Sequence, residues 1–423
     1  MWWLALTVAS GAEAQSLDYP GRRAALLGKL GGNLLIVPAQ TSFKGDDQVG
    51  FLQASDFLYL TGFSDLVGAV AVLDGRSKRA TLFLPPPNPL ISRPRPSGIG
   101  TERAVSLDSL PEWLQARFKG ASGILVAPVD LRGTVAGPAP MSGTVNRWAS
   151  YLKTLGWTGS VGSATPVLRP LREIKDKAEV AILTRVGAVS GRAMVVGIKA
   201  LQPGRTQRSV EIEVAKSCVD QGQRISFWPW AMSGPRGVYT DLFNSFVDPE
   251  SHDRVLKAGE LVRVDVGCQA DHYMGDVGRT APVSGKFDPG QREAWDLFIA
   301  GYKAGLGAVR DGARVAAIFE VARAKIKSLA PAQKTPLGKQ AAEILLSPAG
   351  IEALQFHNVG LDDAEGAPEV LKTGMTLAYE LMFAVGDQGF YLEDMLLVEA
   401  TGHRMLTPGL PYTAAEIEAV MKR

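Results

Sequence analysis

The sequence has 423 residues, with 45 Lys or Arg against 43 Asp or Glu, and therefore a formal net charge of only +2. Hydrophobic residues make up 46% and charged residues 21% of the chain, which excludes disorder as its main state and allows two or three globular domains. The near-neutral charge gives no support to a nucleic-acid-binding role. Two cysteines are too few for a disulfide framework, and with four histidines any metal site must consist mainly of carboxylates.

The N-terminus has the pattern of an export signal. Residues 2–10 are apolar, and Ala12-Glu13-Ala14 fits a cleavage site of the A-x-A type. We therefore expect residues 1–16 to be a signal peptide and the protein to be periplasmic or secreted. Because no Lys or Arg precedes Arg22, the alternative is an unprocessed N-terminus and a cytoplasmic protein. No uninterrupted apolar run reaches the roughly 18 residues of a membrane span, so none is expected.

Residues 17–168 have the pattern of an α/β domain. Continuous apolar runs at 33–37, 69–73 and 80–84 are bounded by turn residues, which is typical of strands buried on both faces. Residues 111–118 predict a short helix between such strands.

The character of the chain changes over residues 169–423. Apolar residues at helical spacing from Val180 to Met194 predict a long helix. Residues 261–266 then alternate between apolar and polar, and residues 375–400 are again strand-like. This composition predicts a second domain of the α+β class.

Several ionisable residues of this second domain lie within apolar strands. An unpaired carboxylate between Val264 and Val266 would cost several kcal/mol. Taken singly, each residue could be a cap or a satisfied core pair, but together they favour one metal centre. Oxygen ligands with one imidazole suit Mn²⁺, Co²⁺, Fe²⁺ or Zn²⁺, and four carboxylates can hold two ions about 3.5–4 Å apart. The predicted metal ligands are Asp265, Asp276, His357, Glu380 and Glu393.

The order of these five residues resembles the metal-ligand set of the pita-bread metallopeptidases, which include aminopeptidase P and prolidase. Residues 55–63, which read Ser-Asp-Phe-Leu-Tyr-Leu-Thr-Gly-Phe, resemble the signature of the aminopeptidase P N-terminal domain. Residues 171–175 resemble the helix that enters the catalytic domain. The resemblance implies a creatinase/aminopeptidase P-type α/β domain at 17–168 and a pita-bread catalytic domain at 169–423.

The resemblance also implies a mechanism and a substrate. Asp265 would bind one metal ion, His357 and Glu380 the other, and Asp276 and Glu393 would bridge them. A hydroxide between the ions would attack the carbonyl before a proline nitrogen, with Glu380 as general base and His357 also in the catalytic set.

We therefore expect a dinuclear metallo-aminopeptidase that removes the N-terminal residue from small peptides with proline in second position. The implied cofactors are two divalent ions, manganese or alternatively cobalt or zinc. Relatives also imply a homo-oligomer, either a dimer or a tetramer. The alternatives are a prolidase-like Xaa-Pro dipeptidase and a catalytically silent metal-binding relative.

The chain departs from the family pattern around these ligands. Family members usually carry one histidine seven residues after the ligand histidine and often another four residues before it, where this chain has Ala364 and Ala353. The arginine two residues before the last ligand is replaced by Tyr391, and no histidine is evident at 239–244. Losing one such donor can cost about 10²–10³ in rate, so slower turnover is expected.

Other polar residues could replace the missing histidines or bind substrate. His272 and Tyr391 are predicted to contact substrate, although His272 also fits an ordinary turn residue, and Tyr273, Asp363 and Glu365 are further candidates.

An aromatic segment follows the second predicted helix of the catalytic domain. Phe227, Trp228 and Trp230 fit core packing beside a turn, and they equally fit a cleft wall that contacts a proline ring.

Overall fold

The computed structural model describes residues 16–41, 51–87, 94–129, 143–237, 253–348, 350 and 354–422. Nearly all of the predicted export signal lies outside these residues, as do His252, Ala353 and the segment 239–244.

The N-terminal part of the chain forms a six-stranded mixed sheet in the order β6-β3-β2-β1-β7-β8, with helices packed against it. The predicted strand runs are confirmed as β1, β2 and β3, of which β1 and β2 are buried throughout. A short 3₁₀ helix, Leu107–Ser109, leads into α3. In chain order the elements are α1 (Tyr19–Lys29), β1 (Leu34–Pro38), α2 (Ser55–Thr61), β2 (Val70–Asp74), β3 (Arg79–Leu84), β4 (Gly98–Ile99), β5 (Glu102–Arg103), β6 (Val105–Ser106), α3 (Leu110–Phe118), β7 (Ile124–Val126), α4 (Thr144–Thr154), β8 (Val161–Ser163) and α5 (Thr165–Arg172).

The C-terminal part contains a seven-stranded antiparallel sheet in the order β10-β11-β14-β17-β16-β15, with β18 paired to β17. A smaller sheet has the order β13-β12-β9. Further 3₁₀ helices are Gly234–Gly237 and Ala330–Ala332. The elements are α6 (Lys177–Ala200), α7 (Gln207–Asp220), β9 (Arg224–Ile225), β10 (Trp230–Ser233), β11 (Leu261–Val266), β12 (Cys268–Ala270), β13 (Tyr273–Met274), β14 (Val277–Pro282), α8 (Pro289–Leu306), α9 (Val315–Leu329), α10 (Pro336–Leu346), β15 (Leu354–Asn358), β16 (Thr376–Val385), β17 (Gln388–Glu399), β18 (Gly402–Met405) and α11 (Ala414–Met421).

Helix α6 confirms the long helix predicted from periodicity. A capping box starts it, because the Asp176 carboxylate accepts a hydrogen bond from the Glu179 amide (2.8 Å) and the Glu179 carboxylate accepts one from the Asp176 amide (2.9 Å). The helix is long and apolar enough to cross a membrane by composition, yet 56% of its apolar window is buried inside the protein. It packs against β11, β12 and β14, as a core helix does.

The two cysteines form one disulfide, a pairing that the sequence analysis did not predict. Cys218 on α7 and Cys268 on β12 have Cα atoms 5.5 Å apart and are fully buried. The pair is separated by 50 residues and meets because α7 packs over the small sheet that contains β12. A single bridge is still not a framework.

The two parts of the chain share a hydrophobic core and buried ion pairs. One apolar cluster combines Phe57 and Leu60 of α2 with Leu361 and Met395 of the C-terminal part. The predicted domain boundary at 168/169 falls inside α5, whose last residue, Arg172, makes ion pairs with both parts.

Candidate active site

Sheet register places the predicted metal ligands on one face of the large antiparallel sheet. Residues directly opposite each other on antiparallel strands project to the same side. One row across five strands therefore contains, in order, Trp230, Asp265, Gly278, Glu393 and Glu380. Asp276 lies two residues before Gly278, and His357 lies two residues after Gln355, which is the partner of Glu380. A step of two residues keeps a side chain on the same face, so both lie in the row next to the ligand row.

The His357 side chain brings the ligands to one point. Its Nε2 lies 3.5 Å from Glu393 Oε1, 3.8 Å from Glu380 Oε2 and 3.8 Å from Asp276 Oδ2. Ligand atoms of Asp276, His357 and Glu393 all lie within 4.8 Å of one another, so the three could hold one metal ion.

The site contains buried polar atoms without hydrogen-bond partners among the described residues. Among the predicted ligands they are Asp265 Oδ1, Glu393 Oε1 and His357 Nδ1. A buried carboxylate oxygen left unpaired is costly, and the two orphaned oxygens belong to predicted metal ligands. Carboxylate oxygens around one imidazole nitrogen therefore fit a divalent cation.

The crowding of carboxylates changes their proton affinity. Burial and the neighbouring Glu393 raise the pKa of Asp265 to about 8 and that of Glu380 to about 7. Burial, with Glu393, Asp265 and Asp363 as further causes, raises the pKa of Asp276 well above its usual range. Without a cation, this cluster therefore holds protons in place of part of its negative charge.

The neighbouring carboxylates also raise the pKa of His357, which for an imidazole favours the charged form. Burial disfavours the charged imidazole, but the Glu393 carboxylate 3.5 Å away, with Glu380 close by, raises the pKa of His357 to about 9.

A buried arginine that sequence reasoning missed lies beside the ligands. Arg263 precedes Asp265 by two residues on β11, and its Nη2 is 3.5 Å from Asp265 Oδ2 and 3.9 Å from Glu380 Oε1. Its guanidinium carbon lies 3.9 Å from the ring centroid of Tyr391. The sequence does contain a signal for it, since Arg263 stands two positions before a predicted ligand in the same strand. Strand alternation puts both side chains on one face.

Tyr391 was predicted to contact substrate, and the structure places it against a ligand. Its side chain is buried, and its hydroxyl donates a hydrogen bond to Glu393 Oε2 (2.6 Å). The ring fits because residue 278 is glycine: a Cβ there would lie 1.8 Å from Tyr391 Cε1.

A second buried arginine, also missed, supports the ligand strands through their backbone. The Arg279 guanidinium donates to the carbonyl oxygens of Glu393 and Gly278, both at 2.7 Å, and to Asp394 Oδ1 at 2.8 Å. Asp394 also accepts hydrogen bonds from two tyrosine hydroxyls, those of Tyr302 and Tyr412. This network fixes the main chain from which Glu393 projects.

The residues of the aromatic segment differ in which interpretation they support, core packing or a cleft wall. Trp228 packs against the main hydrophobic core, and its indole nitrogen donates to Glu211 Oε2 (2.9 Å), which favours core packing. Trp230 is half-buried and lies directly opposite Asp265, on the face that carries the ligands, which favours the cleft wall. Phe227 is half-buried before β10.

His272 lies in the two-residue turn between β12 and β13. It and Asp271 adopt positive φ angles of 70° and 48°, as a tight hairpin turn requires. The turn faces the N-terminal part, where His272 shares a small cleft with Tyr19 and Tyr59. The structure thus places His272 as the turn residue that the sequence also allowed.

Two of the proposed replacements for the missing histidines have other partners. Glu365 is buried between Arg172 and Lys175, and Tyr273 donates a hydrogen bond to Glu179 (2.9 Å). The Asp363 carboxylate, in contrast, contributes to the raised pKa of both Asp276 and His357. Of the three residues, Asp363 is therefore the one whose charge acts on the predicted metal ligands.

Comparison with known proteins defines the class. Residues 181–400 match the model of metallopeptidase family M24, and residues 19–93 match the aminopeptidase P N-terminal domain. The fold and the acidic site are thus those of a metal-dependent hydrolase. Since the first match spans more than half of the chain, the protein belongs to metallopeptidase family M24.

Relatives match along the whole chain. The Xaa-Pro aminopeptidase of Escherichia coli is 25% identical, over 97% of this chain and 98% of the relative. That of Haemophilus influenzae is 24% identical over 88% of each chain. Among solved structures, E. coli aminopeptidase P with the inhibitor Pro-Leu has a TM-score of 0.76 at 23% identity, covering 97% of this chain and 99% of that one. Proline aminopeptidase P II from Yersinia pestis has a TM-score of 0.74 at 24% identity, covering 96% and 98%. These likenesses confirm the predicted fold: an aminopeptidase P-type α/β domain followed by a pita-bread domain.

Proposed function

We propose that this protein is an Xaa-Pro aminopeptidase, which removes one N-terminal residue from peptides with proline in the second position. The observation that carries the proposal is the convergence of Asp276, His357 and Glu393, with Asp265 and Glu380 on the same face of the sheet. The match to Xaa-Pro aminopeptidases over nearly the full length of both chains supports it.

Five side chains would hold two divalent ions: Asp265, Asp276, His357, Glu380 and Glu393. Ions bound there would polarise the peptide carbonyl and lower the pKa of a water molecule, giving a nucleophile near neutral pH. We propose manganese, with cobalt and zinc as alternatives, because carboxylate oxygens with a single imidazole suit all three.

The two facing glutamates differ in exposure. Glu380 keeps 13% of its side chain exposed, whereas Glu393 keeps 1% and accepts the Tyr391 hydroxyl. Of this pair, Glu380 is therefore the one that a reacting molecule can reach. We assign it to take a proton at its carboxylate and pass it to the departing proline nitrogen. Trp230, next to Asp265 in the same row, provides an apolar face for the proline ring.

The substrate assay separates the proposal from its alternatives. The protein would be reconstituted with Mn²⁺, Co²⁺ or Zn²⁺ and offered an Xaa-Pro dipeptide, an Xaa-Pro-Xaa tripeptide and an Xaa-Ala-Xaa tripeptide. We expect release of the first residue from the proline tripeptide and little action on the alanine tripeptide. Cleavage of dipeptides alone would identify a prolidase-like enzyme, and bound metal without cleavage of any Xaa-Pro peptide would identify a silent relative.

A pair of variants tests the catalytic assignment. Glu380→Gln should reduce kcat by at least about 100-fold, as expected for loss of a general base. Glu399→Gln is the matched control, because Glu399 ends the neighbouring strand β17 and is exposed. Equal activity of both variants would reject Glu380 as the proton carrier.

We further propose that the protein is exported and forms a dimer or tetramer. The buried Cys218–Cys268 disulfide supports export, since disulfides persist in oxidising compartments. N-terminal sequencing of native protein should find a start near Gln15, and intact Met1 would reject processing. Light scattering should give two or four times the mass of one chain, which is 45.1 kDa before processing.

A further inference from the structure

We propose that Arg263 is a permanent counter-charge built into the metal centre, which stabilises the metal-free site and competes with the metal ions for Asp265 and Glu380. The inference rests on the proposed function, because it assumes that this cluster binds divalent ions. It assigns a role to a residue that belongs to none of the five ligand positions.

The position of Arg263 is fixed from several sides. The side chain is 2% exposed, and its Nη2 lies 3.5 Å from Asp265 Oδ2 and 3.9 Å from Glu380 Oε1. Its Nη1 lies 3.8 Å from Met382 Sδ. The guanidinium stacks on Tyr391, whose hydroxyl holds Glu393. One arginine and one tyrosine thus reach three of the four ligand carboxylates.

Register explains how the pair forms. Arg263 lies opposite Thr280, and Thr280 lies between Arg263 and Tyr391 in the row next to the ligand row. Thr280 is fully buried, and its hydroxyl accepts a hydrogen bond from the Tyr391 amide (2.8 Å). The Tyr391 ring lies over Gly278 in the ligand row, and the Arg263 guanidinium contacts it there. His357 lies in the row on the other side of Asp265 and Glu380, so the cluster has a basic side chain on each flank.

The two basic side chains, Arg263 and His357, differ in chemistry. An imidazole can lose its proton and become a metal ligand, whereas a guanidinium keeps its charge under all ordinary conditions. Arg263 therefore offsets part of the negative charge when no metal is present. The same charge repels a divalent ion that binds to Asp265 or Glu380, because only 12% and 13% of these side chains are exposed and screening by water is reduced.

This role differs from that of an arginine that only fills space. If Arg263 acted through packing, its loss would weaken the metal-free and metal-bound forms alike. A counter-charge instead stabilises the metal-free form alone. Removing it should lower the Tm of the metal-free protein, leave that of the metal-bound protein nearly unchanged, and tighten metal binding.

The test compares the full-length wild type with R263M, which is neutral and still covers the Tyr391 ring, and with R263K, which keeps the charge. Each protein is stripped with a chelator and titrated with Mn²⁺ by calorimetry, and its Tm is measured with and without Mn²⁺. We expect the Kd for Mn²⁺ to fall at least tenfold in R263M and less than threefold in R263K. We expect the Tm shift caused by Mn²⁺ to be larger in R263M than in wild type.

A matched control is Arg254→Met. Arg254 is also a partly buried arginine with a carboxylate partner, Glu260, at 2.5 Å. It precedes β11 in the chain and does not belong to the ligand row. Its Mn²⁺ affinity should equal that of wild type. If R263M does not fold, R263Q provides a second neutral side chain that is compatible with polar surroundings.

The outcomes separate this inference from the proposed function. Unchanged or weaker Mn²⁺ binding in R263M, or equal loss of Tm with and without metal, would overturn the counter-charge role while leaving the peptidase intact. A wild type that binds no Mn²⁺, Co²⁺ or Zn²⁺ would overturn both. Tighter binding in R263M with no cleavage of any Xaa-Pro peptide would support the counter-charge and reject the peptidase.

Discussion

Glu380 on β16 lies directly opposite Glu393 on β17, and both carboxylates project from the same face of the sheet. Like charges in opposite positions of two strands destabilise a sheet. His357 lies within 3.8 Å of one carboxylate and 3.5 Å of the other, and neither has a closer cationic partner among the described residues. The pair therefore gains stability from a shared cation, which is the physical basis of the metal predictions.

Replacing Asp276 should reduce the metal content. Asp276 belongs to the three-residue group that converges within 4.8 Å. Because the proposed ligand set makes it a ligand of both ions, Asp276→Ala should lose at least one of the two. Elemental analysis after reconstitution and dialysis measures this directly. Asp387→Ala serves as the control, because Asp387 is exposed in the turn between β16 and β17. Retention of two ions by Asp276→Ala would contradict the proposed ligand set.

Gly278→Ala should disrupt the site without a large effect on the strand. An added Cβ would lie 1.8 Å from Tyr391 Cε1, so the ring must move and the hydrogen bond to Glu393 is lost. A misplacement of this size should lower kcat/KM by about 100-fold. Gly191→Ala in α6 is the matched control, because its Cβ would meet Leu410 at 3.8 Å, an ordinary contact, and helical Ala is favourable. A fully active Gly278→Ala enzyme would show that Tyr391 does not position Glu393.

Stability should depend on pH through Glu365. Burial acts against the charged carboxylate, but Arg172 and Lys175 lower the pKa of Glu365 to about 2. A carboxyl whose pKa is depressed in the folded state stabilises it above the unfolded value near 4.5, and this contribution is lost as the pH falls from about 4.5 towards 2.

The matched comparison is Glu365→Gln against Glu369→Gln, an exposed residue nearby. Glu365→Gln should lower the free energy of unfolding by about 3 kcal/mol at pH 7 and by much less near pH 2. Urea unfolding at several pH values measures the difference. A loss that is independent of pH would indicate that the effect is one of packing.

Reduction should destabilise the protein. The Cys218–Cys268 bridge closes a loop of 50 residues, for which loop entropy predicts about 4 kcal/mol of stabilisation. A reductant should therefore lower the urea midpoint of wild type and have no effect on the double variant Cys218→Ala/Cys268→Ala. Equal midpoints of wild type with and without reductant would contradict the pairing.

The sequence was sufficient for features that depend on local pattern. Apolar runs bounded by turns predicted β1, β2 and β3, and a carboxylate inside an apolar strand marked Asp265 as a candidate metal ligand. The face on which the ligands meet was implied by strand alternation, since a period of two fixes which side chains share a side.

Features that depend on pairing between distant segments could not be predicted. The position of Arg263 next to Glu380 is set by the order β11-β14-β17-β16, which no local pattern reveals. The Cys218–Cys268 bridge likewise requires α7 to cover β12. Tyr391 shows a further limit, because its role depends on space left by Gly278 on another strand.

The ion pairs of Arg172 couple the N-terminal part of the chain to the segment that follows His357. Arg172 bonds to Asp56 of α2 (2.9 Å) and to Asp362 (2.6 Å), and the Ser55 hydroxyl donates to Asp362 (2.6 Å). Asp362 follows His357 by only five positions in the chain. A substitution in the first sixty residues or so can thus shift the segment that carries the imidazole ligand. A catalytic half expressed alone would expose the apolar surface around Leu361 and lose two anchors of that segment, so the two halves are expected to be inherited and to evolve as one unit.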